Sequence, residues 1–393
     1  MERKDRKELR TGFSTGTAAT AAAVAAARTL ADGLPPASVE VKLPKGRTLD
    51  VPVAEGRIGE DGRAVCVVVK DAGDDPDVTN SARIGAAVGR RVAPGLALSG
   101  GSGVGRVTKP GLVLPPGEWA INPVPRSMIL ENLSPFLPED GPGLEVEIFI
   151  EGGEDLAQST LNPRLGIVGG LSVLGTTGLV RPFSNAAYIA TIDSALSIAR
   201  AAGLTECVLT TGGRSEGLGR RDRPDLPEEA FVMIADFFAG GLKLAAKRGF
   251  RTVGLAVFFG KAVKQAAGHP YTHAHKTDLD LAPLVSWLPG IPDAVKASVL
   301  ASNTALHALE VLKAEGLTGL VPKVAERALV SARSYAGPGP DLWMRLFDFD
   351  GSVLAYETLA GDGSAGDGSS APEADGDGPE GLGAVGDGPA EDG

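Results

Sequence analysis

Residues 99–126 read SGGSGVGRVTKPGLVLPPGEWAINPVPR, and they gather polar groups suited to holding an anion: Arg106, Lys109, Asn122 and Arg126. Glycines and prolines surround them, so the segment is too broken for a helix or long strand and too apolar for a linker. A shaped loop is predicted, and ordered loops of this length are often functional. Gly101, among Gly100, Gly103 and Gly105, can bring backbone N–H groups against an anion. The cluster fits neither the Walker spacing nor GxGxxG in register, so a carboxylate-bearing substrate is the stronger reading and nucleotide phosphate the weaker.

Three further stretches could do chemistry. KDAGDDPDVTN, residues 70–80, holds Asp71, Asp74, Asp75 and Asp77, four acids whose mutual repulsion must be offset if they are ordered. A solvated turn is one reading. The other is a polar active-site loop in which Asp74 or Asp75 serves as a general base or holds substrate N–H groups. LTTGGRSEG, residues 209–217, leaves a strand at Thr211, Gly212 and Gly213 and enters an irregular stretch. That is an ordinary glycine turn or a place to admit an adenosine-type ligand. FFGKAVKQAAGHPYTHAHKTDLD, residues 258–280, sets Gly260, Lys261 and Lys264 at a helix start, where a cation is locally unfavourable. Lys261 is therefore a candidate partner for a ligand carboxylate. His269, His273 and His275 have neither cysteine neighbours nor HExxH spacing, and no protein-bound metal is expected; the acidic loop likewise lacks EF-hand spacing.

These stretches need elements to position them. Ser14 or Thr15 can cap a helix through the alanines to Gly33, either packed tightly on a sheet or presenting a small-residue N-terminus to an anion. A hairpin (VEVKLP, KG, RTLDVPV) follows, then strands over 64–70, 84–92 and 144–150, with a short helix in SMILENLSPFL. Residues 151–160 and 162–184 form a hinge-like, glycine-rich passage, and the domain boundary is placed near Asn162. Beyond it the period changes: helix 184–202, strand 206–211, helix 227–247, strand 252–259, helices to about 335, and a hairpin on the Asp350–Gly351 turn. The expected fold class is α/β: an α+β substrate-binding domain over 1–160, then an α/β domain with a mainly parallel sheet over 161–358. Ligands of such sheets sit beyond the carboxyl ends of the strands.

Composition bounds the function. The 393 residues carry a net charge of −11, but nine acids and no base lie in 360–393, leaving about −2 for the rest. That Gly/Asp-rich tail, 359–393, is expected to be disordered. No broad basic surface suggests a nucleic-acid partner, and no stretch suits a membrane span. The Ala-rich N-terminal run is too weakly apolar for a secretory signal. Cys66 and Cys207 each sit in an apolar run and read as buried thiols of a reducing compartment, so a cytoplasmic protein is expected. A homo-oligomer is compatible with the chain.

Five ordered blocks, LRTGFSTGTAATAAA, KDAGDDPDVTN, GGSGVGRVTKPGL with AINPVPR, LNPRLGIVGGLSVLGTTG and GKAVKQAAGHPYTHAHK, resemble the signatures of the anaerobic-type cobalt-precorrin-5B C(1)-methyltransferases, the CbiD family. The resemblance covers about residues 9–357. It implies S-adenosylmethionine-dependent methylation of ring carbon C1 of a cobalt-corrinoid substrate, cobalt-precorrin-5B, giving cobalt-precorrin-6A in cobalamin biosynthesis. The carboxylate arms of such a macrocycle suit Arg106, Lys109, Arg126, Arg164 and Lys261, and His273 or His275 could contact its cobalt. Cobalt comes with the substrate. Where many members of that family carry a TPGN-type turn, this chain has Thr210-Thr211-Gly212-Gly213-Arg214-Ser215-Glu216. A non-catalytic corrinoid carrier and an ATP-dependent phosphotransferase are the rival classes.

Overall fold

A computed structural model describes residues 9–138, 141–273, 280–287 and 290–362. The tail expected to be disordered lies, beyond 362, outside the described residues, as does His275. The class is α/β, with two five-stranded sheets each carrying its own helical cover and hydrophobic core.

The first sheet is built around helix α1 (Thr15–Asp32). Ser14 caps it by accepting the Thr17 N–H at 3.2 Å, and Gly33 ends it with φ +80. Almost every alanine of α1 is fully buried, because small side chains let its backbone lie close against strands β2 (Ala64–Val69) and β3 (Arg83–Arg91) of the sheet. With β1 (Glu55–Ile58), β4 (Leu96–Gly100) and β5 (Gly143–Ile150) the order is β1-β2-β3-β5-β4, antiparallel except for the β5–β4 pair. Helix α2 (Pro123–Leu133) packs on α1. The expected hairpin forms between Ser38–Lys42 and Thr48–Pro52.

The second sheet holds β6 (Glu206–Thr210), β7 (Phe231–Met233), β8 (Thr252–Phe258), β9 (Asp341–Phe347) and β10 (Val353–Leu359) in the order β7-β6-β8-β9-β10. All neighbours are parallel until β10, which returns antiparallel through the Asp350–Gly351 turn. Helices α3 (Asn185–Ala201), α4 (Gly213–Asp222), α5 (Phe238–Lys247), α6 (Phe259–Ala266), α7 (Ala305–Ala314) and α8 (Pro322–Ala336) cover it.

Four local expectations need correction. The helix predicted over 227–247 is split: Phe231-Val232-Met233 extends and pairs with β6, because the open edge of β6 offers hydrogen bonds that a helix would leave unmade. The irregular stretch after Gly212 is helix α4, whose first turn is fixed by Ser215 Oγ accepting the N–H groups of Thr211 (3.0 Å) and Gly212 (3.1 Å). Helix α2 starts at Pro123 rather than after the prolines, since proline suits a first helical turn that needs no N–H partner. Residues 99–126 are more than loop. Gly103–Val104 pairs with Gly170–Leu171, Arg106–Val107 pairs with Ile167–Val168, and Ile121 bridges to Val173. The passage read as hinge-like is thereby fastened along its length. Gly103 shows why glycine is needed: with φ +71, a Cβ there would meet the Ile150 carbonyl oxygen at 2.0 Å.

Candidate active site

A cavity of about 410 Å³ opens at the carboxyl ends of β6, β8 and β9. Thr211, Gly212, Gly260 and Lys261 all line it, so the structure brings together four residues singled out from two separate stretches of sequence. Gly213 stands at the start of α4 beside them and is not in the lining. The N-terminal turns of α4, α6 and α7 converge on the space, through Gly212 and Ser215, Phe259 and Gly260, and Thr304 and Ala305. Unsatisfied N–H groups at such ends favour negative charge.

One side of the cavity is aromatic. Phe258 and Phe349 stack with centroids 4.8 Å apart and planes 9° apart, and the Arg214 guanidinium lies 5.7 Å and 5.2 Å from the two ring centroids. Arg214 also donates to the Phe349 carbonyl. Asp348 is buried in the same wall, where its carboxylate accepts the Phe349 N–H at 2.8 Å and pairs with Lys313. Also in the lining, Lys261 pairs with Asp236, which accepts the Thr272 hydroxyl at 3.2 Å. Phe258, Phe349, Arg214 and Asp348 were missed from sequence. The FDFDG run by itself predicts only a hairpin turn, although an acid and an aromatic directly after a parallel strand are the available signal.

The other singled-out residues lie elsewhere, each with partners inside the chain. Arg106 sits over the Trp119 ring at 4.0 Å and donates to the Gly117 carbonyl at 2.8 Å. Arg126 donates to the carbonyls of Ile121 (2.6 Å) and Trp119 (3.2 Å) and pairs with Glu118 at 3.0 Å. Lys109 reaches Glu229 at 2.7 Å, and Arg164 makes a two-pronged contact with Glu216 at 3.0 Å, so both tie the segment between the sheets to the second sheet's elements. The Lys109 ammonium holds the Glu229 carboxyl below its usual range. Asn122 precedes α2 with its N–H on the Val173 carbonyl. His273 lies parallel to Tyr271, centroids 6.0 Å apart. Gly101 donates to the Ile148 carbonyl and Gly105 to that of Leu171; Val104 turns back to Gly101. These three N–H groups, on which a phosphate loop would draw, are consumed by sheet and turn.

The acidic loop has resolved partners too. Asp71 pairs with Arg10 and caps Gly73, and the Arg10 contact pulls its carboxyl below the usual range. Asp74 accepts the Arg10 N–H at 2.7 Å, and Asp75 accepts the Phe183 N–H at 2.8 Å. Asp77 meets Lys70 at 2.6 Å; burial works to raise its carboxyl, but Lys70 and Thr79 outweigh that and leave it lowered. Lys70 is only 1% exposed, so this pair satisfies a buried charge. The Thr15 and Thr17 hydroxyls at the start of α1 are likewise spent on the carbonyls of Leu174 (3.1 Å) and Gly178 (2.7 Å). Among the described residues no group of three His, Cys, Asp or Glu converges as a metal site, and no helix is long and apolar enough to cross a membrane. Cys66 and Cys207 are both buried and unbridged, and burial pushes both thiols up.

The family model CbiD matches residues 2–182, and the model of the CbiD C-terminal domain matches residues 271–358. A protein of Nitratidesulfovibrio vulgaris named cobalt-precorrin-5B C(1)-methyltransferase is 46% identical over 368 residues, covering 89% of this chain and 93% of its own. The chain belongs to the CbiD family. A Salinispora arenicola protein of the same name is 45% identical, with 88% of this chain and 91% of that one covered. The 1.9 Å crystal structure of cobalamin biosynthesis protein (cbiD) from Archaeoglobus fulgidus is 29% identical, covering 64% of this chain and 78% of that one, with a TM-score of 0.37. The CbiD model's match takes in the acidic loop, residues 99–126 and the passage fastened to them, while the C-terminal model takes in Thr272, α7, β9 and Asp348 of the cavity side.

Proposed function

We propose that this CbiD-family chain is a methyltransferase that moves a methyl group from S-adenosylmethionine to ring carbon C1 of cobalt-precorrin-5B. The observation that carries the reading is the cavity at the strand ends, lined by Thr211, Gly212, Gly260 and Lys261. Its volume of about 410 Å³ falls in the range of small-molecule sites, roughly 300–1,000 Å³. Its chemistry fits the donor's parts. Phe258 and Phe349 offer an aromatic face for adenine, the helix N-termini and Lys261 a place for a carboxylate, and Asp348 an acceptor for hydroxyl or ammonium groups. Bound there, S-adenosylmethionine supplies an electrophilic methyl group.

The protein's task is then alignment and exclusion of water, since in-line transfer to a nucleophilic carbon gains most from positioning. In this reading residues 1–160 supply the substrate side and 161–358 the donor side. Lys109, Arg126 and Arg106 are carboxylate partners whose present ion pairs and carbonyl contacts are partly solvated, and exposed contacts of this kind are worth little, so a substrate arm can replace them. Arg164 is a further carboxylate partner, held in place by the buried carboxylate of Glu216. In the same reading Gly101 and Asn122 shape the substrate wall, and His273, next in the chain to the cavity-lining Thr272, is a substrate contact. Asp74 and Asp75 manage ring protons; unchanged single-turnover methylation in both Asp74→Asn and Asp75→Asn would remove that role.

Titration with S-adenosylhomocysteine in a calorimeter separates this reading from a non-catalytic corrinoid carrier. Saturable one-to-one binding, weakened by Gly260→Leu, is expected; no heat at millimolar ligand would contradict the donor site.

A further inference from the structure

Beside the donor cavity stands a second aromatic surface. Tyr188 stacks on Phe237 with centroids 5.2 Å apart and planes 20° apart, and Phe237 meets Tyr271 edge-on at 5.0 Å. Tyr271 continues the row to His273. All four are half-buried. The row adjoins the cavity through its chain neighbours: Thr272, between Tyr271 and His273, lines the cavity, and so does Lys261, whose ammonium pairs with Asp236 next to Phe237. The Lys261 ammonium also donates to the Thr272 carbonyl at 3.3 Å.

The backbone around this row is strained. Ala235 (φ +47) lies two residues before Phe237, and Phe183 (φ +57) closely precedes the helix that carries Tyr188. Both occupy the left-handed region that non-glycine residues avoid, and such strain persists where the surroundings over-determine a functional geometry. Asp75 bonds the Phe183 N–H, so part of that strain is held from the acidic loop. The two phenols also sense one charge: burial first, then Asp236, holds Tyr188 and Tyr271 above the usual tyrosine range.

Methyl transfer requires the acceptor carbon within about 3–3.5 Å of the methyl group in the reactive pose, so the acceptor must lie at the cavity's mouth. A conjugated macrocycle presents broad flat faces, and offset stacking on aromatic rings is the interaction such faces favour. Of the two aromatic surfaces, the Phe258–Phe349 pair is capped by Arg214, whereas the second row joins the cavity lining through Thr272 and through the Lys261–Asp236 pair. We propose that Tyr188, Phe237 and Tyr271 form the wall against which the corrinoid macrocycle lies. The inference rests on the methyltransferase reading and adds the residues that bind the acceptor's face.

Tyr271→Ala and Tyr188→Ala are expected to raise the KM for cobalt-precorrin-5B about tenfold, with kcat changed less and S-adenosylhomocysteine affinity unchanged. Tyr271→Phe keeps the face and should stay within about twofold of wild type. Tyr271→Leu, which keeps bulk without the π face, covers the case in which the alanine variant does not fold. Equilibrium binding of the same corrinoid, followed by its visible absorbance, distinguishes the two claims. Wild-type protein that binds the corrinoid without turning it over contradicts the methyltransferase reading alone. Binding and KM unaltered in Tyr188→Ala and Tyr271→Leu, or wild-type protein that does not bind the corrinoid, would overturn the wall.

Discussion

At Gly103 and Gly170 the missing side chain lets two backbones touch, whereas at Gly212 it faces open space: a Cβ on Gly170 would meet the Gly103 carbonyl oxygen at 2.1 Å, and one on Gly212 would meet nothing within 4 Å. The same contrast runs through the charges. Arg106, Arg126 and Lys109 brace residues 99–126 through carbonyls, a ring and carboxylates, while Lys261 and Arg214 line a cavity. Glycines in sequence therefore mark two different kinds of work, backbone closure and ligand space, and in the proposed function the bracing cations exchange their internal partners for substrate arms. Which of the two applies depends on what folds against them.

Substitutions can sharpen that contrast. The largest loss of stability is expected from Asp77→Ala, which leaves the Lys70 ammonium buried without its carboxylate; about 3–5 kcal/mol should disappear from the urea unfolding free energy. Gly103→Ala comes next, at about 1–3 kcal/mol or more, because a methyl group must displace backbone at a left-handed position. Retention of wild-type stability in Gly103→Ala would show that the paired strands can part and would break the contrast.

A smaller, reversible loss follows pH. Asp71 and Asp77 both have carboxyls lowered in the folded state, so their contribution is fully present above the unfolded value of about 3.9 and is lost as pH falls through their lower folded values. The urea midpoint should hold between pH 7 and 5 and drop below about pH 4; Asp77→Asn should flatten that drop. Lys109→Ala and Arg126→Ala remove partly exposed pairs, so stability should change by at most about 1 kcal/mol while the corrinoid KM rises several-fold. Gly212→Ala should be nearly silent in unfolding, within about 0.5 kcal/mol, yet weaken S-adenosylhomocysteine in calorimetry, because its added methyl group enters the cavity rather than the core.

The elements legible in the sequence are those with strong local signals. Helix α1 was fixed by Ser14 and Gly33 at its ends, and β2, β3, β5, β6 and β8 by short apolar runs between turn residues. What was not legible depends on partners distant in sequence. The extension of Phe231-Val232-Met233 follows from the open edge of β6, and the pairing of Gly103–Val104 with Gly170–Leu171 joins segments over sixty residues apart. The cavity shows the same division. Thr211, Gly212, Gly260 and Lys261 stand at visible strand-to-helix transitions, but Asp348 and Phe349 directly follow the last parallel strand, whose neighbour β8 lies far earlier in the chain. The partners of Arg126 and Lys109, Glu118 and Glu229, carry no sequence pattern that pairs them.

The central claim is that the strand-end cavity serves methyl transfer to a corrinoid. Anaerobic incubation of the protein with S-adenosylmethionine and cobalt-precorrin-5B, read by mass spectrometry of the corrinoid, tests it most directly. A gain of one methyl group, lost when Gly260→Leu closes the cavity, is the predicted result; an unmodified corrinoid recovered from wild-type protein that binds both ligands would contradict it.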